Sequence, residues 1–390
     1  MKSLKLLLLV LSLSSFERLH GQLTIVNQDY AKALNIAQKE NKLLFIDFYT
    51  TWCGPCKVLD KTIFRNDSLG EILGKNVVLL QYDAEKDTVF HLTKKYHIFI
   101  YPSAVILNKD GYVVDRNYGF PGNDFSTLCK SVLDFTNKSV ERNNQNIIIK
   151  GYSNKIDLSA YPKFYVDYVG NAKARKPSRE IIKSYFSENH DIFSEEYFST
   201  LIYFSVSDKA DIIVKNKKKY IDLYGELETT ALLFMIARDK FDNAISENSQ
   251  QKFDEAVSFY IESVDDKESE TTLQNFKIEF LKSQNKWTEV LTILEDRKSK
   301  GELSDEAINN YSWEAYKKCD DQQVIGRYIQ WMKELTNRKP QYTYLDTYAF
   351  LTYKSGNKAL TKEIVNLAIE AAKKEKKSVK DLEELLKRVS

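Results

Sequence analysis

Two apolar runs limit what this chain can build. "KLLFIDFYT", residues 42–50, and "NVVLLQYDA", residues 76–84, are rich in β-formers and too short for core helices. Runs of this kind suit strands buried on both faces, as in a parallel sheet. Helical patterns surround them. "DYAKALNIAQKEN" opens on Asp29, a good N-cap, and sets Ala33, Ile36 and Ala37 on one face. A second helix follows the first strand through Val58, Leu59 and Ile63. "TVFHLTKKYH" is expected to be a third, with Val89, Leu92 and Tyr96 at helical spacing. "SAVILN" and "YVVDRNYG" are joined by "KDG", which predicts a hairpin. "GNDFSTLCKSVLDF" closes the pattern with a helix capped at Asn123 or Asp124. The predicted order is α-β-α-β-α-β-β-α, an α/β fold with a mixed central sheet flanked by helices on both faces.

Beyond residue 136 the pattern changes. "NKSVERNNQNIIIK", residues 137–150, is polar and reads as a linker. From 151 to 390 strand signals almost vanish and helix-period stretches repeat, so this half is expected to be all-α. Near the end, "NNYSWEAYKKCDD" from Asn309 matches "DTYAFLTYKSGNK" from Asp346. Trp313 then falls on Phe350, Tyr316 on Tyr353, Cys319 on Gly356 and Trp331 on Ala368, and Pro340 ends the first unit. Helix-turn-helix units of this length, over about 305–375, resemble tetratricopeptide repeats, which need stacked neighbours to bury their faces.

The N-terminus reads as an address rather than as part of the fold. Lys2 and Lys5 precede an apolar run from Leu6 to Leu13, the charged and hydrophobic regions of a secretory signal spanning 1–22. Cleavage is expected near Gly21 or Gln22. The run is too short to span a bilayer. Export, as to a bacterial periplasm, implies an oxidising compartment in which disulfides persist. With 57 Lys and Arg against 55 Asp and Glu, the net charge of +2 gives no nucleic-acid surface. Four cysteines in 390 residues are too few for a disulfide scaffold.

Two of those cysteines, Cys53 and Cys56, are separated only by Gly54 and Pro55, directly after the first buried strand. A thiol becomes a good nucleophile when it ionises, and a helix N-terminus stabilises the thiolate. Cys53 is placed there, with Cys56 one turn on along the same side. Cys53 can attack a substrate disulfide, and Cys56 can then resolve the mixed disulfide. Pro55 suits an early helical position, where its missing N–H costs nothing. A zinc site would need two further Cys or His at motif spacing, and His91 and His97 are isolated in the sequence. Covalent haem attachment needs a His where Lys57 stands. A structural bridge closing so small a loop is a poor staple.

"FIDFYTTWCGPCK" resembles the thioredoxin family in its strand, active-site motif and following lysine. The resemblance covers about residues 29–136, within a domain set at 23–136. "VLDKTIFRNDSL" and "DAEKD" bring it nearest to secreted bacterial thioredoxin-like proteins. It implies that Asp47 is the buried acid behind the second cysteine, exchanging a proton with Cys56. It implies too that Trp52 lies on the rim of the site and that Pro102 is a cis-proline. Tyr101 before it would hydrogen-bond an extended substrate, and Gly119 would be a small residue nearby. Trp52, Gly54, Pro55, Tyr101 and Pro102 thus form the expected substrate surface. Leu79 departs from the family, whose members carry a lysine there near the buried acid.

The implied function is an exported thiol–disulfide oxidoreductase that reduces protein disulfides, fed by a membrane thiol–disulfide electron donor. Oxidase or isomerase activity, or client binding by the helical repeats with a minor redox role, are the alternatives. No dissociable cofactor or metal is expected, because the cysteine pair carries the electrons. Cys129 and Cys319 read as idle thiols, Lys57 as a solvated helix residue, and His190 as unpartnered. His20 belongs to the signal.

Overall fold

The computed structural model describes residues 22–122, 124–171, 173–264 and 269–389. The expected signal lies outside them except for Gln22, as does Asn123, one of the two candidate caps. The chain divides into two compact units, the first ending at Asp239 and the second starting at Lys240.

The first unit is built on a five-stranded sheet, ordered β1-β3-β2-β4-β5. The strands are β1 (Thr24–Asn27), β2 (Leu43–Tyr49), β3 (Val77–Asp83), β4 (Ser103–Leu107) and β5 (Val113–Tyr118). β3 pairs in parallel with β1 and β2, and β4 pairs antiparallel with β2 and β5. This is the mixed sheet that the two apolar runs and the hairpin predict, and its order is the one the thioredoxin resemblance implies. β1 is an addition, since "TIVN" is too short to stand out by pattern and is fixed by its register against β3.

Both faces of the central strands are buried. Leu43 and Phe45 face one core with Val77, Leu79, Ala104 and Ile106. That core is covered by α2 (Gly54–Leu59), a π-helical turn (Asp60–Phe64), α3 (Asp67–Gly74) and α5 (Phe125–Asn144), through Leu59, Ile63, Leu73 and Val132. The alternate residues Leu44, Ile46 and Phe48 are fully buried on the other face. There α1 (Tyr30–Glu40) packs on β2 and β3, and Phe48 meets Tyr82 and Tyr96 edge to face at 5.7 and 6.4 Å. Asp29 caps α1 by accepting from the Lys32 amide, and Asp124 caps α5 by accepting from Thr127.

Two expectations need correction. The helix over 88–97 is reduced to α4 (Leu92–Lys95). The Asp87 carboxylate accepts the Leu92 and Thr93 amides at 3.2 and 2.8 Å, and His91 takes φ +53°, so the helix cannot start earlier. Val89, placed on the buried face by periodicity, is 73% exposed. The polar stretch 137–150 is not a loose linker either. α5 runs on to Asn144, and the Ile149 amide then donates to Val113 O at 2.8 Å. Polarity misleads here because Ser139 is buried by donating to the Phe135 carbonyl at 2.8 Å.

The rest of the first unit carries no strand among the described residues; its helices are α6 (Lys163–Tyr168), α7 (Arg179–Ser187), α8 (Glu195–Phe204), α9 (Ala210–Lys215), α10 (Lys217–Tyr224) and the start of α11 (Glu226–Ser246), joined by irregular segments. Buried ionic contacts fix these helices to the sheet half. Lys95 pairs with Glu195 at 2.5 Å and donates to Ser153 at 2.9 Å. Glu228 receives Arg116 at 2.9 Å, His97 at 2.8 Å and the Tyr118 hydroxyl at 2.8 Å.

The second unit is all-α: α12 (Gln250–Ser263), α13 (Ser269–Ser283), α14 (Trp287–Ser299), α15 (Asp305–Lys318), α16 (Gln322–Arg338), α17 (Tyr342–Lys354), α18 (Lys358–Lys374) and α19 (Lys380–Val389). The two sequence-matched segments form the helix pairs α15–α16 and α17–α18. Trp313 and Phe350, which the alignment equates, meet edge to face at 5.5 Å.

Candidate active site

The site grows from the turn between β2 and α2. β2 carries the chain out of the sheet at Tyr49, and the Cys53 amide donates back to Thr50 O at 3.2 Å. Cys53 caps α2, its Sγ accepting from the Cys56 amide at 3.1 Å. Pro55 occupies the first turn, where a backbone donor would be unused. Gly54 and Lys57 follow on the exposed side. Cys53 and Cys56 are joined as a disulfide, with Cα atoms 5.3 Å apart.

The rim is aromatic. Trp52 is 67% exposed, and its indole N–H donates to Glu85 at 3.1 Å. Thr51 donates to the other oxygen of Glu85 at 3.2 Å. The Tyr101 ring meets Trp52 edge to face at 6.0 Å, which brings residues 101 and 102 beside the cysteine turn. The Tyr101–Pro102 bond is cis. Gly119, at φ +77°, donates its N–H to Pro102 O at 2.8 Å. The fold therefore brings Trp52, Tyr101, Pro102 and Gly119 together from three separate segments.

Beneath the turn lies Asp47, on the core-facing side of β2, opposite Gln81 on β3 and Ala104 on β4. It is 2% exposed, and its Oδ1 has no protein hydrogen-bond partner among the described residues. Burial, reinforced by the charge of Asp60, pushes its carboxyl up to about 8. Such a group can hold a proton at neutral pH and release it on demand.

Sequence reasoning missed three neighbours, Asp60, Arg65 and Gln81. The one available signal was the four-residue spacing from Cys56 to Asp60, which puts both on one helix face. It also took His97 to be isolated. His97 is fully buried, with Nδ1 3.1 Å from the Ser199 hydroxyl and Nε2 2.8 Å from Glu228. A carboxylate can only accept, so Nε2 carries the proton and Nδ1 accepts from Ser199. Burial, aided by Arg116, lowers the imidazole to about 4 against the opposing pull of Glu228, so it is neutral at pH 7. His190 likewise has a partner, its Nε2–H donating to Tyr185 O at 2.9 Å. Cys129 on α5 and Cys319 at the end of α15 are free thiols.

Residues 25–109 match a family model described as thioredoxin-like. Thioredoxin-1 of Drosophila melanogaster is 35% identical over 82 residues, which are 21% of this chain and 70% of that one. Protein disulfide-isomerase 1 of Dictyostelium discoideum is 27% identical over 160 residues, 39% of this chain, and the match spans less than half (43%) of that protein. The crystal structure of the germline-specific thioredoxin Deadhead of Drosophila melanogaster is 30% identical, covering 27% of this chain and 90% of that one at a TM-score of 0.22. The cysteine pair, the mixed sheet, the matching family model and the 35% identical thioredoxin sequence identify an oxidoreductase domain with a disulfide-forming Cys pair, and the chain belongs to the thioredoxin family.

Proposed function

We propose that this protein reduces protein disulfides by dithiol–disulfide exchange. The carrying observation is the placement of Cys53 as the cap of α2, its sulfur already accepting the Cys56 amide. The same amide and the helix dipole would stabilise a Cys53 thiolate once the bond is reduced. Cys53 attacks the substrate disulfide, and Cys56 resolves the mixed disulfide, passing its proton to Asp47. An extended substrate chain rests against Tyr101 and Pro102, with Trp52 at the rim.

On this reading the protein is exported, acts on disulfide-bonded polypeptides and is recharged by a membrane thiol donor. The Gly-Pro dipeptide between the cysteines supports reduction over oxidation or isomerisation. Two experiments test it. Cys56→Ser should accumulate clients as mixed disulfides on Cys53, and recovering none from an oxidised extract would count against the reading. Equilibration with glutathione should give a reduction potential near about −270 mV, whereas a value near about −120 mV would assign an oxidant instead.

A second role belongs to the second unit. A groove of about 880 Å³ runs along α16, α17 and α18, with Ile329, Leu345, Leu360 and Leu367 on its walls and Lys333 and Lys374 among them. It supports client binding by tetratricopeptide-like units. If binding were the whole function, Cys53→Ala would retain the cellular effect; loss of that effect assigns it to the chemistry.

A further inference from the structure

Asp47 has a charged neighbourhood of its own in this chain. The residues around it come from four elements. Tyr49 lies on its own strand, Gln81 and Asp83 on β3, Cys56 on α2, and Asp60 on the π-helical turn that follows. Arg65 closes that turn, its amide donating to Asp60 O at 3.0 Å. Ala104, opposite on β4, brings no charge. Of these, Asp60, Gln81 and Arg65 form a closed ring. Gln81 Nε2 donates to Asp60 Oδ1 at 2.6 Å, and Gln81 Oε1 accepts from Arg65 Nη2 at 2.8 Å. Arg65 Nε meets the same Asp60 oxygen at 3.1 Å. The ring is anchored on the very residue that faces Asp47 across the sheet. Leu79, two residues earlier on that face, supplies no cation.

We propose that Asp60 is a positioning residue that sets the proton affinity of Asp47, that Arg65 is the counter-charge tempering it, and that this pair thereby sets the pH at which Cys56 resolves a mixed disulfide. The proposal rests on the exchange reaction given above. In that step the Cys56 proton passes to the Asp47 carboxylate, and the thiolate attacks Cys53 Sγ. The Cys53–Cys56 bond forms as the Cys53–substrate bond breaks. Two electrons leave the protein dithiol, and the substrate sulfur departs as a thiolate that takes a proton from water. An anionic Asp60 makes Asp47 a stronger base for this transfer and delays its ionisation. Arg65 offsets part of that effect, and it is half exposed, so the offset is incomplete.

Two substitutions separate this electrostatic account from loosened packing. Asp60→Asn keeps the acceptor for Gln81 and removes the charge; Arg65→Gln removes the counter-charge. In the oxidised full-length protein, the Asp47 carboxyl is followed by carbon-13 NMR, with Asp47→Asn identifying its signal. Asp60→Asn should lower the titration midpoint and Arg65→Gln should raise it, each by about 0.5–1 pH unit. Loosening would admit water in both variants and lower both midpoints. Shifts of the same sign, or shifts below about 0.3 unit in both, overturn the proposal. The pH midpoint of mixed-disulfide resolution should move in the same two directions, and opposite carboxyl shifts with an unmoved resolution profile would overturn the link to Cys56. A chain that resolves no mixed disulfide at any pH while the carboxyl shifts hold refutes the exchange reaction and with it that link, leaving only the charge coupling standing.

Discussion

Replacing Glu228 with Gln is the most informative perturbation of the buried ionic cluster. Glu228 is 1% exposed, and its carboxylate receives Arg116, His97 and Tyr118, all at 2.8–2.9 Å. Burial alone would raise its carboxyl, yet Arg116 foremost, and then His97 and Tyr118, hold it below the ordinary range, so it is ionised. Gln keeps the shape and removes the charge, leaving the buried Arg116 guanidinium without its anion. Stranding one member of a buried pair costs about 3–5 kcal/mol, a large share of the roughly 5–15 kcal/mol that stabilises a domain. Two compact units make a single global transition unsafe, so the assay is site-resolved amide hydrogen exchange on β4 and β5. The opening free energy there should fall by about 3–5 kcal/mol in Glu228→Gln. Arg116→Met combined with Glu228→Gln should recover part of that loss, because no buried charge is then left unpaired. A loss below about 1 kcal/mol, or a double variant worse than the sum of its singles, would refute the reasoning.

The same exchange measurement checks three further expectations. His97 titrates at about 4 in the fold against about 6.5 when unfolded, so the unfolded chain binds the extra proton between those values; stability is complete above 6.5 and falls by about 3 kcal/mol as pH drops to 4. Asp47 runs the other way: its folded value of about 8 lies above the unfolded 3.8, so the fold holds the extra proton and loses stability as pH rises through that window. Asp47→Asn should therefore stabilise the sheet by about 4 kcal/mol at pH 7 and by nothing near pH 3, and a gain independent of pH would contradict this. Gly151→Ala places a Cβ 2.3 Å from the Tyr224 ring, which is itself stacked on Phe198 at 3.7 Å, so the α8–α10 packing should lose about 1–3 kcal/mol.

How much was legible in the sequence follows from the range of each interaction. β2 and β3 announced themselves because burial on both faces writes an unbroken apolar run. The Cys53 cap was legible because capping is settled within one turn. α4 was overdrawn because its start is set by the Asp87 side chain and a positive φ at His91, neither of which alters the hydrophobic period. The end of α5 was hidden by Ser139, a polar residue satisfied within its own helix.

The sequence by itself determined the buried strands, the Cys-Gly-Pro-Cys turn at a helix start, and the presence of an acid on β2 and a proline before β4. Each of these is a pattern of neighbours along the chain. Only the tertiary structure decided which charges meet. Glu228 lies 131 residues from His97, and Gln81 lies 21 from Asp60 and faces Asp47 through the parallel register of β2 and β3. A charge carries no periodicity, and its proton affinity depends on burial and on partners that distant segments supply, so folding had to bring those partners together before the chemistry of Asp47 or the neutrality of His97 could be read.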